Sequence, residues 1–117
     1  METSAPNALL TDCPARLAVE IIADKWSFLV IFALREEPHR HGELVEMVGG
    51  ISRKVLTQTL RKLQGYGLVS RTQESEHARY ALTELGGTLV EPIEMLNRWA
   101  RDHGEAVVDF QESHGSV

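Results

Sequence analysis

The feature that most constrains this chain lies between His41 and Gln64. Leu44, Val45 and Val48 recur at helical spacing, and Gly49-Gly50 then ends the segment. Glycine suits that end because it is the least strained residue in the left-handed conformation found at helix C-termini. Ser52 is placed to cap a following helix that runs to about Gln64, its hydroxyl accepting a first-turn N–H with no partner of its own. Helix, glycine turn and helix in this order make a helix-turn-helix. In the second helix Leu56, Leu60 and Leu63 fall within about 60° of one another, while Lys54, Gln58 and Arg61 gather on the opposite side with Thr57 beside them. One face belongs to a core; the other is polar and cationic.

Charge sharpens that contrast. The 117 residues carry 12 Lys+Arg against 17 Asp+Glu, a formal charge of −5, yet from Gly49 to Gln73 there are five basic residues (Arg53, Lys54, Arg61, Lys62, Arg71) and no acidic one. A cationic segment on an acidic body suits a polyanion, with a solvated basic helix face as the bland reading. An ordinary exposed helix intersperses acids for salt pairing, and the absence of any here favours nucleic acid. Arginine and lysine reach guanine O6/N7 or phosphate, glutamine reaches adenine, and threonine offers a hydroxyl or a methyl.

The rest of the chain reads as support for that unit. With 43% apolar and 25% charged residues it has the composition of a globular domain. Residues 1–12 read as an arm. A first helix is expected over 14–23, with Pro14 in its first turn. Asp24 to Arg35 is apolar nearly all round and therefore a central core helix, stopped by Glu36-Glu37-Pro38. Strands are expected over Leu68–Thr72 and Ala78–Leu82, with Gln73–His77 as the hairpin tip, which makes the hairpin a wing. Thr83 is placed to cap a long last helix in which Leu85, Leu89, Ile93, Leu96 and Trp99 form an apolar stripe. Pro92 predicts a kink in it, and Gly104 divides off a terminal piece, Glu105–Glu112. The fold class is mainly α with a small β-hairpin wing: a winged helix-turn-helix domain over 13–104, with an extension and tail over 105–117.

Several residues invite other chemistry. His39 and His41 make half a metal pair without a third ligand at ligand spacing, and read as solvent-exposed loop histidines. Trp26 and Trp99 either pack or line an effector pocket, and Tyr66 and Tyr80 either anchor the hairpin or offer a hydroxyl to phosphate. With no Gly-rich phosphate loop, metal cluster or positioned Cys-His-acid set, no catalytic residue, cofactor or metal site is assigned, and an enzyme is not expected. The longest apolar stretch, Phe28–Leu34, is seven residues, far below the roughly 18 to 20 that cross a bilayer. The N-terminus lacks the basic and apolar regions of a secretory signal, and the single cysteine, Cys13, makes no internal disulfide; both fit a reducing, cytoplasmic setting.

Cys13-Pro14, Asp24-Lys25-Trp26, Gly42-Glu43-Leu44, Ile51-Ser52-Arg53-Lys54-Val55-Leu56-Thr57-Gln58, Gly67-Leu68-Val69 and Tyr80-Ala81-Leu82-Thr83-Glu84-Leu85-Gly86 occur in this order and spacing. Over about 13–103 that series resembles the HxlR-type winged helix-turn-helix regulators, relatives of the MarR regulators. The resemblance implies a bacterial homodimer that binds an inverted-repeat operator in double-stranded DNA, its fourth helix in the major groove and its hairpin near the adjacent minor groove. On that reading Lys54, Thr57, Gln58 and Arg61 read bases, and Arg40, Ser52, Arg53, Lys62 and Arg79 hold the backbone. Three features depart from the pattern: Gln64-Gly65-Tyr66 replaces the usual acids, the segment from Arg71 to Tyr80 is short and carries Glu74 and Glu76, and His41 stands where phenylalanine is common. The wing is therefore expected to contribute chiefly through Arg79.

A last helix with so long an apolar stripe has more surface to bury than a chain this small covers alone, so a second copy is the simplest remedy. Cys13 precedes a helix N-terminus, where the backbone dipole favours a thiolate while Asp12 opposes it. The resemblance implies a sensor of oxidants or small electrophiles such as quinones or aldehydes; inert packing is the other reading. A winged helix that uses its basic strip on an acidic protein, without sequence preference, is the alternative function.

Overall fold

The computed structural model describes residues 14–115, in the order α1 (Pro14–Ile22), α2 (Lys25–Ala33), β1 (His39–Arg40), α3 (His41–Met47), α4 (Arg53–Gly65), β2 (Val69–Glu74), β3 (His77–Leu82), α5 (Glu84–Gly87) and α6 (Val90–Ser113). The expected arm over 1–12 and Cys13 lie outside the described residues. The three strands form one antiparallel sheet in the order β1-β3-β2, and the architecture is a winged helix-turn-helix.

The apolar run of α2 supplies the centre. Asp24 starts it by accepting the Trp26 N–H at 3.0 Å, which satisfies one of the unpaired donors of the first turn. Val30, Ile31 and Leu34 are buried there with Leu44, Val48, Ile51, Leu56, Leu60, Leu63, Leu68, Val69 and Ile93. Every helix after α1, apart from the four-residue α5, thus contributes to one core, together with the base of the hairpin. The turn between α3 and α4 uses Gly50 at φ 88° and buries Ile51 behind it. Ser52 then accepts the Val55 N–H at 3.1 Å and opens α4 as its position predicts.

Four local expectations change. β1 was not foreseen: two residues carry no alternation, and their strand character comes from pairing His39 with Tyr80 and Arg40 with Arg79. The hairpin is longer and its tip tighter, because β2 and β3 stay paired out to Glu74 and His77. Backbone pairing needs no apolar alternation in a ribbon that projects into solvent, so these polar strand ends read as loop. Thr83 does cap a helix, accepting the Gly86 N–H at 3.0 Å, but only the short α5. The chain breaks at Thr88–Leu89 and restarts as α6, with Pro92 in its first turn in place of a mid-helix kink. Proline has no N–H to return to the Thr88 carbonyl, so the break falls one turn before it. Gly104 does not interrupt α6, which runs on to Ser113.

Ile93 is the buried residue of α6, whereas Met95, Leu96, Trp99, Val107, Val108 and Phe110 are exposed, as are Leu17 and Val19 on α1. Arg35 reaches from the end of α2 to Glu94 at 3.4 Å and ties the base of α6 to the domain.

A Cβ at buried Gly86 would run into the Leu68 carbonyl oxygen, which itself accepts the Thr83 N–H at 3.0 Å. Gly86→Ala should therefore destabilise the domain by about 1–3 kcal/mol through overpacking, lowering Tm by roughly 4–8 °C per kcal/mol. Thermal melting by circular dichroism reads this, and an unchanged Tm would show that α5 slides freely on the hairpin base.

Candidate nucleic-acid interface

Burying Leu56, Leu60 and Leu63 turns the opposite side of α4 outward, and Lys54, Gln58 and Arg61 are all exposed on it. Among the described residues none of these three enters an ion pair or a side-chain hydrogen bond. At the start of the helix Ser52 and Arg53 are exposed and no acid occupies the first turn. A helix N-terminus favours negative charge, so this end suits a phosphate.

The two flanks of that face are tied to the protein. On one side the Thr57 hydroxyl lies 3.0 Å from His41 Nε2 at the start of α3. On the other, Lys62 Nζ donates to Asp24 Oδ2 at 3.0 Å. Thr57 and Lys62 are five positions, hence about 140°, apart around the helix, and Lys54, Gln58 and Arg61 occupy the arc between them. Lys62, expected at the DNA backbone, is thus engaged by the carboxylate that also caps α2. Thr57 is half-buried and its hydroxyl is already occupied.

The sheet sorts the remaining candidates by face. Side chains alternate along a strand, and the register places Arg40, Arg79 and Thr72 on one face, with His39, Tyr80 and Arg71 on the other. Arg79 Nε donates to Glu74 Oε1 at 2.9 Å, so a wing acid neutralises the arginine expected to serve the wing. Arg71, not among the residues expected at DNA, stands with Tyr80, whose ring centroid is 6.4 Å from that of His41. His41, Gly42, Arg71, His77 and Tyr80 line part of a groove of about 500 Å³ between the start of α3 and the hairpin. Strand alternation puts Arg71 on the face of Val69, two residues before it, but its place beside Tyr80 follows only from the pairing of β2 with β3.

His39 and His41 are not exposed loop histidines, because pairing of β1 with β3 draws both inward. His39 is 16% exposed, with Nδ1 3.1 Å from Glu43 Oε1. Burial pushes His41 below the ordinary histidine value and the Arg53 cation pushes it the same way, outweighing a hydrogen bond to the Arg53 backbone that acts upward, so the neutral ring is favoured. The Arg40 N–H and His39 hold the Glu43 carboxyl below the usual carboxylate range. Trp26 packs against the core with Lys25 Nζ 4.5 Å over its ring, whereas Trp99 is 55% exposed. Tyr80 sits within the sheet and Tyr66 ends α4.

Burial alone would raise the Asp24 carboxyl, but the Lys62 ammonium, the Trp26 N–H and the Ser27 hydroxyl together hold it below its ordinary 3.8. A lowered carboxyl adds stability that is complete above the unfolded value and lost as pH falls through the folded one. Asp24→Asn keeps a capping side chain and removes the charge, so it should cost about 0.2–1 kcal/mol at neutral pH. Urea melts over a pH series should show wild type and variant converging below about pH 4 and separating above it. Parallel curves would remove the linkage.

Residues 21–108 match the HxlR-like helix-turn-helix family. Over 96 residues the chain is 33% identical to YtfH of Escherichia coli (strain K12), named as an uncharacterized HTH-type transcriptional regulator, which spans 80% of this chain and 76% of that protein. The solved structure of YtfH from Salmonella typhimurium superposes with a TM-score of 0.79 at 29% identity, covering 91% of this chain and 97% of that one. The transcriptional regulator YodB from B. subtilis in its reduced form gives 0.67 at 30% identity, covering 75% and 90%. YodB has also been solved after treatment with diamide. The basic helix-turn-helix, its hairpin and these likenesses agree: the protein belongs to the HxlR-like helix-turn-helix family of transcriptional regulators.

Proposed function

We propose that the protein is a homodimeric transcriptional regulator that reads an inverted-repeat operator in double-stranded DNA through α4. The observation that carries this is the acid-free, exposed arc of Lys54, Gln58 and Arg61, held between two tied flanks. Lys54, Gln58 and Arg61 contact base edges, with Thr57 at their margin, and Ser52, Arg53, Arg40 and Arg71 hold phosphates, because these side chains are exposed. Lys62 and Arg79 act second-hand, through Asp24 and Glu74, unless DNA displaces those carboxylates.

The dimer rests on α6 and α1, whose exposed apolar side chains a second copy would cover. Two copies then carry two reading helices to half-sites one helical turn, or a multiple of it, apart. Among the described residues no helix is long and apolar enough to cross a membrane. Cys13 is the redox- or electrophile-responsive residue of this proposal. Support comes from its place before Pro14 and from YodB, solved both reduced and diamide-treated.

Selection from a pool of randomised duplexes tests the reading. The enriched sequence should carry two inverted half-sites, and Arg61→Ala and Gln58→Ala should each weaken binding to it by about 1–3 kcal/mol. Affinity should fall steeply with salt, and Arg53→Ala should reduce that slope by about one. A pool from which nothing is enriched would overturn operator reading and leave a module for an acidic protein.

For the switch, Cys13→Ser should keep operator affinity but lose the response of the wild type to diamide or a quinone. A response retained by that variant would remove Cys13 from the mechanism.

A further inference from the structure

Threonine carries a hydroxyl and a methyl on the same Cβ, and the groove meets whichever the rotamer turns outward. At Thr57 the hydroxyl lies 3.0 Å from His41 Nε2, across the contact between α4 and α3. His41 is itself held in place, half-buried where β1 passes into α3 and 6.4 Å, centroid to centroid, from the Tyr80 ring. A neutral imidazole offers one donor and one acceptor, so it satisfies that hydroxyl in either tautomer. A phenylalanine side chain at this position would have no nitrogen to do so.

We propose that His41 is a positioning residue for base recognition: by holding the Thr57 hydroxyl against the protein it turns the Thr57 methyl to the major groove, giving a preference for thymine at the base pair Thr57 faces. This rests on the operator reading above. Thymine's C5-methyl is the feature that distinguishes it in the major groove, and an apolar contact is how side chains read it. Thr57 borders Gln58 and Arg61 on the open arc, so a methyl turned outward there would extend the site that the hydrogen-bonding side chains read.

The test uses the full chain and the duplex enriched by the wild type. Replacing thymine by uracil, one position at a time, removes only the methyl. At one position per half-site this should weaken wild-type binding about fourfold, the equivalent of about 0.8 kcal/mol for one buried carbon. Thr57→Ser keeps the bond to His41 and lacks the methyl, and should bind both duplexes equally. His41→Phe frees the hydroxyl and should reduce the preference to twofold or less, while His41→Gln, which can reach the same hydroxyl, should retain it. Should His41→Phe fail to fold, as judged by its melt, His41→Ala, which also frees the hydroxyl, decides in the same uracil series.

Equal wild-type affinity for every uracil duplex, or full discrimination kept by folded His41→Phe, would overturn the role of His41 and leave operator reading standing. Failure of the wild type to enrich any sequence would overturn both.

Discussion

The roll of α4 about its own axis is the constraint on which the rest of the structure depends. A turn of about 100° would move each side chain into the place of its neighbour, and the outward arc would lose Arg61 or Gln58. Burial of Leu56, Leu60 and Leu63 sets the roll coarsely, since an apolar stripe tolerates some rotation against smooth neighbours. Two polar ties set it finely because hydrogen bonds are directional. Asp24 holds Lys62 from the α2 side, and His41 meets Thr57 from the α3 side. Asp24 also caps α2, so one carboxylate joins the start of the core helix to the edge of α4. The exposed cations therefore belong to a face with a defined direction.

Charge is arranged to the same end. Acids dominate the chain as a whole, yet none lies in α4, and where acids do come near candidate arginines they pair with them, as Glu74 does with Arg79. Exposed pairs of this kind contribute little to stability; their larger effect is to decide which cations remain available. Exposed apolar side chains on α1 and α6 contrast with the cationic face of α4, and the proposed dimer rests on them. One copy alone would leave them in water, which is why symmetry enters the proposed mechanism.

What could be read in advance followed local periodicity. The two faces of α4 came from spacings of three and four residues, the core helix from a nearly unbroken apolar run, and the turn and cap from the local chemistry of Gly49-Gly50 and Ser52. Elements created by distant pairing did not. β1 is a strand only because Tyr80 and Arg79 lie beside it, and Arg71 and Arg79 part company through a register visible only once the strands are paired. Pro92 marked an irregularity but not its form: its missing N–H calls for an interruption one turn earlier, and the three-dimensional structure makes that a break at Thr88–Leu89 in place of a bend.

By itself, the order of residues determined that one helix would be leucine-rich on one side and cationic on the other, because side-chain angles follow from 100° per residue without reference to anything distant. Which of those cations would stay free was decided only in three dimensions. Asp24 and Lys62 are 38 positions apart, and His41 and Thr57 are 16. Bonds across such separations exist only when packing brings α2, α3 and α4 together, since a hydrogen bond extends barely 3 Å and no local pattern encodes its distant partner.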